Sequence, residues 1–285
     1  MADSREFLTG RLMVVAFEGW NDAGEAASGA VRLLQEQLDL TEIVDIDSED
    51  FFDYQFNRPT IESDDDGQRT MVWPNATISA PAEGSESTIH VLIGTEPSRN
   101  WKRFTSEVLN VAVDAGVSGI VFLGAMLADV PHTRPISVFS SSENDAVRAE
   151  LELEKSTYEG PVGILSVIAD SAERLGIPTV SLWASVPHYV HNAPSPKATL
   201  ALIDRLEELI GIVIPRGELD EEAAAWEAGI NTLAGDDEEM AAYIQQLEQA
   251  RDTVDSPEAS GEAIAQEFER YLRKRGDGPA EPWRP

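Results

Sequence analysis

The sequence predicts an α/β protein with a mostly parallel sheet and helices on both faces, followed by a small C-terminal helical domain. Three observations carry this. Short β-rich apolar runs alternate with longer segments of helical period, as βα units require. The connections between them are short and marked by Gly or Pro, as in Ala115-Gly116-Val117 and Leu175-Gly176-Ile177-Pro178. After Pro215 the strand signals stop, and residues 216–285 carry 18 acidic against 7 basic side chains, which divides the chain into 1–215 and 216–285.

In order, Leu12–Phe17 (LMVVAF) reads as a buried strand and Asp22–Leu38 as a helix, with Ala23, Ala27, Val31, Leu34 and Leu38 on one face. Further strands are predicted at Ile43–Ile46, Thr70–Trp73, Ile89–Ile93, Gly119–Leu123, Ile136–Phe139, Gly163–Leu165 and Thr179–Trp183. Helices are predicted over about Asn100–Ala115, Ser166–Leu175 and Pro196–Ile210. Between Asp47 and Ser87 lie Phe51, Phe52, Tyr54 and Phe56, readable either as core under a long loop or as an exposed contact patch. Asp66-Gly67 implies a hairpin turn between Ile61 and Met71. In the acidic tail, Leu219, Trp226, Ile230 and Leu233 share a helical face. Asp236 with Glu239 has capping-box spacing ahead of Met240, Ile244, Leu247 and Val254. Ser256-Pro257 opens a third helix, with Ile264, Phe268, Tyr271 and Leu272 as its stripe. Such helices must pack on each other, on the α/β body or on another subunit.

Composition excludes several function classes. The chain has no cysteine among its 285 residues, so disulfides, thiolate metal sites and a cysteine nucleophile are out, and the cytoplasm is favoured. No run approaches the ~18 apolar residues of a membrane span, and MADSREFLTGRL lacks the apolar core of a signal peptide. With 52 acidic and 21 basic residues the formal charge is −31, which disfavours nucleic acid and anionic membranes as partners. The same charge serves solubility, or steers the protein toward a basic partner surface.

Parallel sheets present their ligand loops at the carboxyl ends of the strands, and four such loops hold the candidate residues. The first, Glu18-Gly19-Trp20-Asn21-Asp22-Ala23-Gly24, suits a turn and helix cap; Glu18, Asn21 and Asp22 are binding candidates, but no phosphate-loop Lys follows. In the second, Gly94 to Trp101, Glu96 and Arg99 can form an ion pair at a helix start, capped by Ser98 or Asn100. Functionally they would serve as acid or base and as anion fork. The third, Gly124 to Pro135, holds Asp129, His132 and Arg134, with His132 as a base oriented by Asp129. The fourth holds His188 and His191, three apart and without a third ligand, so no metal or cofactor is expected. Glu18, Asp22, Glu96, Arg99, His132 and His188 should then cluster at one sheet edge. The cluster suits either a small-molecule pocket, with Glu96, Arg99 and His132 as catalytic candidates, or a hydrogen-bonded interface rim. No nucleophile is marked by spacing.

Taken in order, FEGWNDAG (17–24), GTEPSRNW (94–101), LGAMLADVPHTRP (123–135), YEGPVGI (158–164) and SLWASVPHYV…SPKATL (181–200) resemble the proteasome assembly chaperone 2 family, in its actinobacterial branch. The resemblance spans roughly residues 10–215. It implies a phosphorylase/hydrolase-like α/β fold, self-association and a protein–protein assembly role, since eukaryotic and archaeal relatives assist assembly of proteasome α-rings. The alternative, from other users of the fold, is a small-molecule hydrolase or transferase. Several proteasome-binding relatives end in a hydrophobic–Tyr–any-residue tail. This chain ends Pro282-Trp283-Arg284-Pro285, with Arg284 in place of that Tyr.

Overall fold

The computed structural model describes residues 6–254 apart from 47–48, 64–66, 86, 154 and 157. Its elements are α1 (Glu6–Thr9), β1 (Arg11–Glu18), α2 (Ala26–Gln37), β2 (Leu40–Ile46), β3 (Thr60–Ser63), β4 (Arg69–Val72), β5 (Ala76–Pro81), β6 (Ile89–Thr95) and α3 (Trp101–Asp114). There follow β7 (Val117–Ala128), β8 (Val138–Ser141), α4 (Asp145–Leu151), α5 (Ile164–Arg174), β9 (Thr179–Pro187), α6 (Pro196–Ile210), α7 (Leu219–Gly235) and α8 (Glu238–Val254).

Seven strands form one sheet in the order β2-β5-β6-β1-β7-β9-β8. The four central strands, β6-β1-β7-β9, run parallel, whereas β5 and β8 are antiparallel to their neighbours. The sheet is therefore mixed around a parallel centre. Central strands are covered on both faces, which is why they read as continuous apolar runs. Alternate residues of β1 divide between two cores. Leu12, Val14 and Ala16 pack with α2 and α6, while Met13, Val15 and Phe17 pack with α3 and α5. The result is three layers, helix on sheet on helix.

Several elements depart from expectation. Residues 163–165 are not a strand: Gly163 precedes α5, and Ile164, Leu165, Ile168 and Ala172 continue as its buried helical face. The strand expected at 70–73 lies outside the main sheet, in a separate β3–β4 hairpin that pairs Ile61 with Met71. Of its turn, residues 64–66 fall outside the described residues, and Gly67 has a positive φ of 78°. The aromatic cluster splits, with Phe51 and Phe52 buried and Phe56 exposed. Helix α8 is capped by Asp237 rather than Asp236, its Oδ1 accepting the N–H of Glu239 (2.9 Å) and Met240 (3.1 Å). The helix expected from Ser256 lies outside the described residues.

The segment leaving α6 is clamped. Ile214 is buried, and its N–H donates to Glu207 Oε1 at 2.6 Å. Arg216 is held by Asp204 (2.6 Å), Glu207 (2.8 Å) and Asp220 (3.4 Å). Helix α7 then buries only Leu219, Ala223 and Ala234, and in α8 Ile244 and Leu247 are the buried residues.

Candidate functional site

The four loops do meet at the carboxyl ends of β1, β6, β7 and β9, but their polar residues form two groups instead of one. In the first, at β1 and β6, Asp22 is buried and its Oδ1 accepts the N–H of Ala27 (2.7 Å) and Ser28 (3.2 Å), opening α2. Burial pushes its carboxyl above the usual carboxylate range, partly offset by those bonds. Asn21 is also buried; its carbonyl accepts the N–H of Ala125 (2.8 Å) and its amide donates to Glu96 Oε1 (3.2 Å). The same Glu96 oxygen accepts Ile164 N–H at 2.8 Å, at the start of α5. A side chain on Gly163 would put its Cβ 2.7 Å from the Asn21 amide, so this approach needs glycine. Glu18 pairs with Arg32.

Glu96 and Arg99 do not form the expected ion pair. Arg99 turns to Asp53 at 2.5 Å, a half-buried partner in the segment between β2 and β3, whose carboxyl is held low by the Gln55 N–H and by Arg99. Nor does Ser98 or Asn100 cap α3 through its side chain: Asn100 adopts a left-handed backbone and its amide donates to the Asp50 carbonyl at 2.8 Å.

The second group lies under α7 and α8. His132 is fully buried. The Tyr189 hydroxyl accepts the His132 backbone N–H at 2.7 Å and lies 2.8 Å from Nδ1, so its own proton points to Nδ1. Nε2 then carries the ring proton and donates to Asn231 Oδ1 of α7 at 3.2 Å. Burial lowers the imidazole pKa, with Asn231 and the nearby Glu227 and Glu248 opposing, which agrees with a neutral ring. Burial likewise pushes the Tyr189 phenol up to about 12. Asp129 does not orient His132. It lies 3.4 Å from His188 Nδ1, without the geometry of a hydrogen bond. His191 Nδ1 turns back onto the His188 carbonyl at 2.7 Å. Arg134 makes a bidentate pair with Asp252 of α8 (2.7 and 2.8 Å), and Thr133 donates to Glu248. Lys197 bridges the His132 carbonyl (2.6 Å) to Glu227 of α7 (2.5 Å). Tyr243 of α8 packs edge-on to His188 and Tyr189.

Sequence reasoning missed Tyr189, Lys197, Glu227 and Asn231 as partners of His132. The sole signal was that Tyr189 and Lys197 fall within the patterned segment 181–200, whereas Glu227 and Asn231 on α7 carried none. Among the described residues no group of three or more His, Asp or Glu could hold a metal ion, and no helix is long and apolar enough to cross a membrane.

Beside the first group lies an open cleft of about 420 Å³ lined by Glu18, Trp20, Asn57, Thr95, Glu96 and Trp101. From the lining residue Asn57 the chain runs within three residues into the β3–β4 hairpin, which exposes Ile61, Met71 and Val72; Phe56 and Trp73 are exposed as well.

Fold and site together define a three-layer α/β protein whose sheet end is half sealed by its own C-terminal helices and half open at a cleft beside β1 and β6. The PAC2 family model matches residues 16–234, and the chain belongs to that family. A PAC2 family protein from Streptomyces avermitilis is 45% identical with TM-score 0.74, covering 81% of this chain and 98% of its own. A proteasome-assembly chaperone homologue from Mycobacterium tuberculosis is 41% identical with TM-score 0.73, covering 82% and 99%. A second M. tuberculosis structure, of unknown function, is 27% identical with TM-score 0.81, covering 94% of this chain and 91% of its own. No curated protein matched significantly in sequence.

Proposed function

We propose that this chain is a cytoplasmic protein–protein assembly factor that self-associates and acts on proteasome α-subunits. The carrying observation is the β3–β4 hairpin, whose eight residues are all exposed, with Ile61 paired to Met71 and Trp73 beside it. An isolated two-stranded hairpin is marginal in water, and the exposed Ile61, Met71 and Val72 of this one favour a cover. The 41% identity to a proteasome-assembly chaperone homologue supports the proteasomal partner. In this reading residues 1–215 are the interacting body and 216–285 brace it.

The hydrolase or transferase reading finds less support. It needs Glu96, Arg99 and His132 to converge, yet Glu96 accepts two internal N–H groups, Arg99 turns to Asp53 and His132 is enclosed.

Co-purification with tagged full-length protein tests the proposal. Proteasome α-subunits should be recovered with the unaltered chain and lost with Met71→Asp, and light scattering should give more than one subunit. A monomer that recovers no α-subunit would sink the reading.

A further inference from the structure

The cleft beside the hairpin has a chemistry that a purely apolar contact would not use. Its lining includes two indoles, Trp20 and Trp101, and two carboxylates, Glu18 and Glu96. Trp20 is 50% exposed. The indole N–H of Trp101 is taken by the Pro97 carbonyl at 2.5 Å, which fixes that ring. Glu96 is fixed as well, because Oε1 accepts the Asn21 amide and the Ile164 N–H, while Oε2 accepts none of the hydrogen bonds found among the described residues.

Of the residues that line the cleft, Glu18 and Glu96 are acidic and none is basic. Arg32 is paired to Glu18 and so offsets one of the two carboxylates. Arg99 follows the lining residue Ser98 but is drawn away to Asp53. Glu96 thus has no cationic partner among the described residues. A preset carboxylate in a cleft also lined by two indoles suits a guanidinium or ammonium, through charge and cation–π attraction together. The surroundings indicate what carries that cation. A free small cation would leave Phe56, 62% exposed, and the neighbouring hairpin uncovered, whereas a protein surface would cover both. The chain's charge of −31 also steers basic surfaces toward it.

We infer that the cleft formed by Trp20, Trp101, Glu18 and Glu96 is a pocket for an arginine or lysine side chain projecting from an otherwise apolar face of a partner protein. The inference rests on the assembly reading above and names the chemistry that its partner must present. It also places the selectivity of the interaction at Glu96 and its adhesive area at the hairpin, an anchor in a pocket within a surrounding apolar contact.

The test uses the full chain labelled with 5-fluorotryptophan, whose six tryptophan resonances are assigned through Trp20→Phe and Trp101→Phe. The probes are Ac-Gly-Arg-Gly-NH2 and its citrulline counterpart, which has nearly the same shape and no charge. The arginine peptide should shift the Trp20 and Trp101 resonances saturably, and the citrulline peptide should bind at least about 5-fold more weakly. Glu96→Gln retains Oε1 as an acceptor and should melt like the unaltered protein, yet lose about 5-fold or more in affinity for the arginine peptide. Glu221→Gln, an exposed change on α7, should bind as the parent does. Equal shifts by both peptides, shifts centred on other tryptophans, no saturable shift, or an unaffected Glu96→Gln would each overturn the pocket. If the pocket fails while Met71→Asp still abolishes α-subunit recovery, the assembly reading stands without it. If α-subunits are never recovered but the peptide binds as expected, the pocket stands and the partner has been misassigned.

Discussion

Replacing His132 by alanine should remove about 3 kcal/mol of stability, and the figure can be worked from its surroundings. The ring is fully buried, so its loss leaves a cavity that costs ~1–2 kcal/mol after partial collapse. Tyr189 keeps the backbone N–H as a donor but loses the acceptor for its own proton, worth ~1–2 kcal/mol in a buried setting. Asn231 is exposed and regains water, so it adds little. For a chain of this size the change is a drop in Tm of roughly 6–12 °C, read by circular dichroism. A pH arm tests whether the buried ring is neutral. The folded imidazole has its pKa lowered by burial, so the unfolded chain binds more protons around and below its ordinary value of 6.5. Its stabilising contribution is therefore complete above pH 6.5 and is lost as pH falls through the folded value, at no more than ~1.4 kcal/mol per pH unit. His132→Gln lacks this term, and comparing it with the parent isolates His132 from the other buried histidine, His90. A His132→Ala protein within about 0.5 kcal/mol of the parent, or equal pH dependence in the parent and His132→Gln, would refute the structural role argued for the ring.

Two further predictions probe the frame and the sealed half of the sheet end. Gly94→Ala would place a Cβ 2.2 Å from the Asn75 carbonyl and 2.4 Å from Ala76 Cα, both backbone atoms, so β5 must shift off β6. A loss of at least about 3 kcal/mol is expected in urea denaturation, and a loss below 1 would show that the strands yield easily. Arg134→Ala removes an exposed pair that salt screens, so the main effect is local: faster hydrogen exchange in α8 with little change in global melting. Unchanged α8 exchange at low salt would mean that Ile244 and Leu247 alone hold the helix.

The legible parts of the fold were those with strong local signals. Leu12–Phe17 and Gly119–Leu123 are buried on both faces, so no other residue types fit there, and amphipathic helices such as Pro196–Ile210 show one stripe. Strand β5 was missed because it buries Ala76, Ile78 and Ser79 within ATISAP, a run too short and polar to stand out. Residues 163–165 were misread because an apolar run at a helix start looks like a strand until its spacing is followed to Ala172. The candidate site was legible as a set of loops but not as a set of partners. With 52 acidic and 21 basic side chains, nearly any cation can find a carboxylate, and local sequence cannot say that Arg134 takes Asp252 or that Arg99 takes Asp53. Pairing across more than a hundred residues depends on where α8 docks, which only the packed chain decides.

The clamp between α6 and α7 has a mechanical consequence. Tension applied at the C-terminal end of α8 would load the Arg134–Asp252 pair first, then the contacts of Leu247 and Ile244, and only afterwards the Asn231 and Glu227 contacts of α7. Arg216, with its three carboxylates, and the buried Ile214 come last. The chain is thus graded from a weak outer grip to a firm root. A pull on the tail would strip the helices one at a time while the sheet behind them keeps its shape.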